Sequence, residues 1–208
     1  MTNFKLFYIV FLTCNVVFSQ EFYFKTGKNF TTYDYLNSKG LSNPTLKSGT
    51  GNFFEFGYLH YFSHCRCNFY RFFYSASIVL NDFNATGGNI VNKYTWDTQF
   101  IGTQGILYYS LFPDNDLNVI PKAGFGMTTL LFGNQNIDGI GFNLAYEKEF
   151  KGVFISPLLG IDFKYSYFKN TSVSIGYSFS KVFKVANSSN EKLSFLNHQI
   201  QFGLYFEK

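Results

Sequence analysis

Oily and polar residues alternate through almost the whole chain, and the last strand-length segment shows it most plainly. In Leu193–Phe206, LSFLNHQIQFGLYF, the residues Leu196, Ile200, Phe202, Leu204 and Phe206 alternate with Asn197, Gln199, Gln201, Gly203 and Tyr205. A period of two residues sends the two sets to opposite faces of an extended strand. Seven further segments repeat the pattern: Glu21–Tyr33, Gly51–Phe62, Phe69–Asn81, Lys93–Leu111, Asn118–Phe132, Gly152–Phe168 and Ser172–Ser180. The phase is clean in most of them. It blurs in Lys93–Leu111, where a shift near Gly102–Gly105 predicts a bulge.

Asn-, Ser-, Gly- and Asp-rich stretches separate these strands, and their lengths alternate. Long connections follow the first, third, fifth and seventh strands, at Asp34–Gly49, Asp82–Asn92, Gly133–Lys151 and Lys184–Lys192. Short ones follow the others, as at Ser63–Asn68, Pro113–Asp116 and Lys169–Thr171. Within the third long connection, Phe142–Phe150 reads either as a short helix or as a strand extension. No segment reads as a helix that could cover a sheet face, so the strands must cover one another. The fold predicted is all-β: an eight-stranded antiparallel up-and-down transmembrane β-barrel occupying residues 20–208.

The alternation alone leaves open which face points inward. A secreted lipocalin-like barrel would turn the apolar rows in around a small ligand. The Ser and Gly rows fit a narrow eight-stranded interior better than rows of Phe and Tyr do, so the oily rows are assigned to lipid. This choice places Lys25, Glu55, Arg71, Lys122, Asp162 and Lys164 inside, where they are expected to form a structural charge network, because isolated buried charges are costly.

Composition supports the lipid assignment. The chain is 22% aromatic, with 29 Phe and 16 Tyr, more than an ordinary soluble core uses. Two interfacial girdles would take up the excess. One is expected at the turn end, from Phe22, Tyr61, Phe62, Phe69, Tyr70, Tyr108, Tyr109, Tyr167 and Phe206. The other is expected at the loop end, from Tyr33, Tyr94, Trp96, Phe132, Phe154, Phe183 and Phe195. A net charge of +4, with no run of basic residues, points away from nucleic acid. Met1–Ser19 has the charge, apolar run and small terminal residues of a cleavable signal peptide, and the run is too short to span a bilayer. Cys14 would allow lipidation only with an unfavourable Thr13 before it.

Chemistry of the catalytic kind finds little to work with. The histidines are His60, His64 and His198, and none carries the Ser and carboxylate partners of a hydrolytic triad, so no enzyme activity and no cofactor are expected. His60, His64, Cys65 and Cys67 contain metal-ligand types, but at a spacing that matches no standard zinc site.

The leader, the eight alternating strands and the terminal QFGLYF segment resemble the small outer-membrane β-barrel proteins of Gram-negative bacteria, similar in plan to the OmpA transmembrane domain and OmpX. The resemblance covers nearly all of residues 20–208. It implies residence in the outer-membrane lipid bilayer and insertion by the barrel-assembly machinery through the C-terminal strand with Phe202, Leu204 and Phe206. A monomer is expected. Function is then expected in the external loops, as a structural or adhesin-like role that would depend on Asp34–Ser48, Asp82–Asn92 and Lys184–Glu191. The runner-up is a narrow channel for small or hydrophobic solutes, which replacing Lys122 or Asp162 would disrupt.

Overall fold

The computed structural model describes residues 21–36, 39–41, 45–62, 71–88, 93–168, 170–185 and 192–207. The expected signal peptide, Met1–Ser19, lies outside them, as do His64, Cys65 and Cys67. Among the described residues nearly all regular structure is strand: β1 Glu21–Leu36, β2 Lys47–Tyr61, β3 Phe72–Asp82, β4 Ala85–Gly88, β5 Lys93–Tyr109, β6 Leu117–Ile137, β7 Ile140–Asn143, β8 Val153–Phe168, β9 Thr171–Lys184 and β10 Lys192–Glu207. A 3-10 turn, Leu144–Tyr146, follows β7. Phe142–Phe150 is therefore part strand and part tight turn.

Every pairing is antiparallel, and the pairings return to their start. From β1 they run through β2, β3, β5, β6, β8 and β9 to β10, which pairs again with β1 from Glu21↔Glu207 to Leu36↔Lys192. Among the described residues each long strand has a paired neighbour on both sides, so none presents a whole free edge.

There are ten segments rather than the expected eight, for two local reasons. The third strand breaks at Phe83–Asn84 and resumes as β4, still between β2 and β5. At the break the Asn84 side chain stands in for the ladder, donating to Thr50 O at 3.0 Å and accepting from Thr98 N at 3.1 Å. Asp82 and Ala85–Gly88, within the expected Asp82–Asn92 loop, are thus strand. The second reason is that β6 runs on to Ile137 and turns back through Asp138–Gly139 into β7. Both turn residues have positive φ, 51° and 88°, which is the geometry that favours Asp-Gly in a two-residue hairpin.

The expected bulge lies elsewhere too. β5 alternates without interruption, and the register slips instead between Gln99↔Phe132 and Phe100↔Leu130, leaving Leu131 as the extra residue on β6. β5 looked blurred because both its faces are mixed: Trp96, Phe100, Ile106 and Tyr108 point inward, beside Thr98.

Candidate functional site

The inward rows build four layers. Nearest the short turns is an apolar cluster of Tyr23, Leu59, Phe73, Ile106, Tyr108, Ile120, Leu158 and Tyr205. Charged groups are threaded through it. Lys25 Nζ donates to Asp162 Oδ2 at 2.9 Å, and Lys122 Nζ to Asp162 Oδ1 at 2.6 Å, so one carboxylate holds two ammonium groups. Lys164 Nζ pairs with Glu21 Oε1 at 2.6 Å, and Tyr61 OH donates to Glu21 Oε2 at 2.7 Å.

Aromatic rings complete the environment of these cations. Lys25 Nζ lies 5.3, 5.4 and 5.7 Å from the ring centroids of Tyr23, Tyr108 and Tyr205, and Lys164 Nζ lies 4.6 Å from that of Tyr205. Such contacts strengthen where the cation is desolvated, and Lys25 is only 1% exposed. Glu55 Oε1 accepts from Tyr23 OH at 2.6 Å and Ser77 Oγ at 2.7 Å. Glycine makes the room: a side chain at Gly176 would sit on Asp162 Oδ1, and one at Gly160 would meet the Lys122 stem.

Lys25, Glu55, Lys122, Asp162 and Lys164 are thus all buried inside. Arg71 lies at the turn-side rim, half-buried just before β3, with its carbonyl accepting from Ser110 N at 2.8 Å. Sequence reasoning missed Glu21, although it shares the odd-numbered phase of Tyr23 and Lys25.

Above the charges runs a chain of amides. Lys122 Nζ donates to Gln201 Oε1 at 2.7 Å, Gln201 Nε2 to Gln199 Oε1 at 2.9 Å, and Gln199 Nε2 to Asn81 Oδ1 at 2.9 Å. Asn29 Nδ2 also donates to Asn81 Oδ1, at 3.2 Å. The void bordered by Asn81, Gln104, Thr128, Ser156, Asn197 and Gln199 measures about 20 Å³, the space of roughly one water.

The fourth layer seals the loop end. Tyr33, Phe83, Ala85, Trp96, Phe100, Leu144, Phe150, Phe154, Val182, Leu193 and Phe195 form one buried cluster, with Phe100 and Phe154 fully enclosed. This corrects the expected loop-end girdle. Tyr33, Trp96, Phe154 and Phe195 plug the interior, Tyr94 packs against them, and only Phe132 and Phe183 are exposed on the outer wall. At the turn end Phe22, Phe62 and Phe206 are exposed, whereas Tyr108 is buried and Tyr61 turns in to Glu21. Phe69, Tyr70 and the Tyr167 side chain lie outside the described residues.

The outer wall is apolar over most of its height. Leu159, Ile175 and Ile200 are 63%, 60% and 52% exposed, and Phe24, Phe56, Ile78, Phe125, Met127, Phe163 and Phe202 join them around the whole circumference. On the last strand Phe202 and Phe206 face out, with Phe206 opposite Phe22 on β1. His198 is also on this wall, where its Nδ1 is 2.6 Å from Tyr177 OH and its ring packs on Phe179. No carboxylate contact accompanies this pair among the described residues, and those residues contain no cluster of metal-ligand side chains. None of the described helical turns is long enough to cross a membrane.

No protein-family profile matches the chain, and no curated protein does. Several solved structures are similar to it. Neisserial surface protein A aligns at 15% identity over 90% of this chain and 97% of its own, with a TM-score of 0.45. OprG from Pseudomonas aeruginosa aligns at 13% identity over 91% and 97%, with a TM-score of 0.47. The outer-membrane protease OmpT from Escherichia coli aligns at 7% identity over 91% and 97%, with a TM-score of 0.49. All three likenesses fall below a TM-score of 0.5 at under 25% identity, so they carry neither a family nor an activity across to this chain.

Proposed function

We propose that the chain is an integral outer-membrane barrel in which β3 and β4 act as one stave and β7 is a flap on β6, giving eight staves. It has no catalytic role and acts as a monomeric structural or surface-recognition protein. The observation that carries this reading is the inversion of an ordinary soluble fold: ion pairs and amides fill the interior while Leu, Ile and Phe cover the outside. Water would penalise such a wall, and lipid would not. The rigid ring then serves to hold the long connections, of which 39–41, 45–46 and 138–152 are among the described residues, and recognition by loops is the usual use of such a scaffold. Phe202, Leu204 and Phe206 suit the C-terminal strand for delivery by the barrel-assembly machinery.

A narrow solute path fits less well. The charge layer lies below a void of about 20 Å³ and an aromatic plug, so an ion would have to displace packed rings to pass. The protein inserted into a planar bilayer is expected to give no steady conductance. Stable, reproducible single-channel steps would overturn the structural reading in favour of transport.

A further inference from the structure

The short-turn end of the barrel carries an open cup of about 150 Å³. Its floor is apolar. Phe73 and Ile120 are buried there, and Tyr61 stands across the β2–β3 pair from Phe73 with the ring centroids 4.8 Å apart. The wall is polar, built from Ser110 just past β5, Asn115 in the turn, Asn118 near the start of β6 and Ser166 near the end of β8. Strand pairing gathers these groups: Asn118 stands opposite Lys164 on β8, and Ser166 N donates to Asp116 O at 2.9 Å. The turn itself is tied down, with Asn115 N donating to Phe112 O at 3.2 Å and Phe112 N to Asn118 Oδ1 at 3.1 Å.

Hydrogen-bonding capacity is left over in this wall. Ser110 Oγ accepts from Asn118 Nδ2 at 2.7 Å and keeps its own proton to donate. The side-chain amide of Asn115 makes no hydrogen bond among the described residues. Lys164 is the charged residue of the lining, and its 2.6 Å ion pair with Glu21 cancels it. Asp114 and Asp116 lie outside the lining and are exposed. The cup therefore selects neither an anion nor a cation. Its volume is that of about one six-membered ring. An apolar ring would strip water from the polar wall without replacing its hydrogen bonds, and an open-chain polyol would leave the aromatic floor uncovered. A pyranose suits both, with a C–H face for the electron-rich faces of Tyr61 and Phe73 and hydroxyls at its edge.

We propose that this cup binds one uncharged pyranose ring, held by the Tyr61–Phe73 platform and by hydroxyl contacts to Ser110, Asn115 and Ser166. The short turns of outer-membrane barrels face the periplasm, so under the membrane reading above the cup samples periplasmic sugars, at the opposite end from the long loops. Only the compartment rests on that reading; the site and its ligand class do not.

The test is saturation-transfer NMR on the full mature chain in lipid nanodiscs, with gel mobility before and after boiling as the check on folding. The probes are methyl glucopyranoside, methyl N-acetylglucosaminide, maltotriose and open-chain sorbitol. Saturable transfer to at least one pyranose, stronger than to sorbitol, is expected. Ser166→Leu, at an exposed rim position, is expected to fill the cup and abolish it. Asn115→Ala removes one neutral hydrogen bond and is expected to weaken binding about fivefold. Lys28→Gln, an outer-wall lysine engaged with Asn52 away from the cup, is expected to change nothing. Maltotriose binding alongside the single rings would mean that the cup takes the end ring of a glycan chain, and its exclusion that it takes a free monosaccharide. No transfer to any pyranose, equal transfer to sorbitol, or transfer that survives Ser166→Leu would each overturn the proposal and leave the membrane reading standing. Should Ser166→Leu fail the boiling check, unchanged affinity in Asn115→Ala would overturn it instead.

Discussion

Asp162→Ala is expected to destabilise the folded barrel by about 3–5 kcal/mol, because it leaves buried charge without a counter-ion. Among the described residues Asp162 is the sole carboxylate in ion-pair contact with both Lys25 and Lys122, and the three side chains come from β8, β1 and β6. Removing it strands two ammonium groups in a layer walled by Tyr23, Tyr108 and Tyr205. The rings soften this cost without cancelling it, since a cation–π contact is worth about 2 kcal/mol or less. The urea midpoint of the protein in vesicles measures the loss. Replacing Lys25 and Lys122 by Met in the same background is expected to restore most of it, because apolar side chains of similar volume need no partner. A loss from Asp162→Ala below about 1 kcal/mol would mean that the cluster is solvated and the lumen wetter than its packing implies.

Leu159→Arg probes the opposite surface. Leu159 stands near the middle of β8, 63% exposed, between Ala123 on β6 and Phe179 on β9. In a bilayer an arginine at mid-height costs about 2–4 kcal/mol, and the cost shrinks toward either interface. On a water-exposed wall the same change would cost within about 0.5 kcal/mol. The expected result is the larger loss, read from the same urea titration. Its absence would point to a soluble barrel with an unusually oily coat.

The contrast between these substitutions also shows what the sequence could reveal. Period-two alternation separated the two faces of most strands correctly, down to the inward rows of Lys25, Glu55, Lys122, Asp162 and Lys164, because a strand has only two faces and a shift of one residue exchanges them. The aromatic residues near the loop end were misread although the same rule applied to them. Tyr33 shares its phase with Lys25 and Asn29, Phe154 with Ser156 and Asp162, and Phe195 with Asn197 and Gln201. Their place near an expected membrane interface suggested a girdle. Their parity already put them inside, where they close the mouth.

Other features were out of reach of periodicity. Leu131 as the extra residue on β6 depends on how β6 registers against β5, a relation between strands that neither strand encodes alone. The cup with Tyr61, Phe73, Asn118 and Ser166 likewise joins residues brought together by the pairing of β2 with β3 and of β6 with β8. The β6–β7 hairpin was legible in principle from Asp138–Gly139, but it lay inside a segment that polar composition had marked as loop.

Whether the apolar wall meets lipid can be read from a nitroxide probe placed on it. A spin label is placed at Leu159→Cys or Ile200→Cys, with Cys65 and Cys67 replaced by serine, and the protein is reconstituted into vesicles. At both sites the label should collide readily with oxygen, which concentrates in lipid, and hardly at all with a water-soluble nickel chelate. Strong collision with the chelate at both positions would place the wall in water and rule out a membrane-embedded barrel.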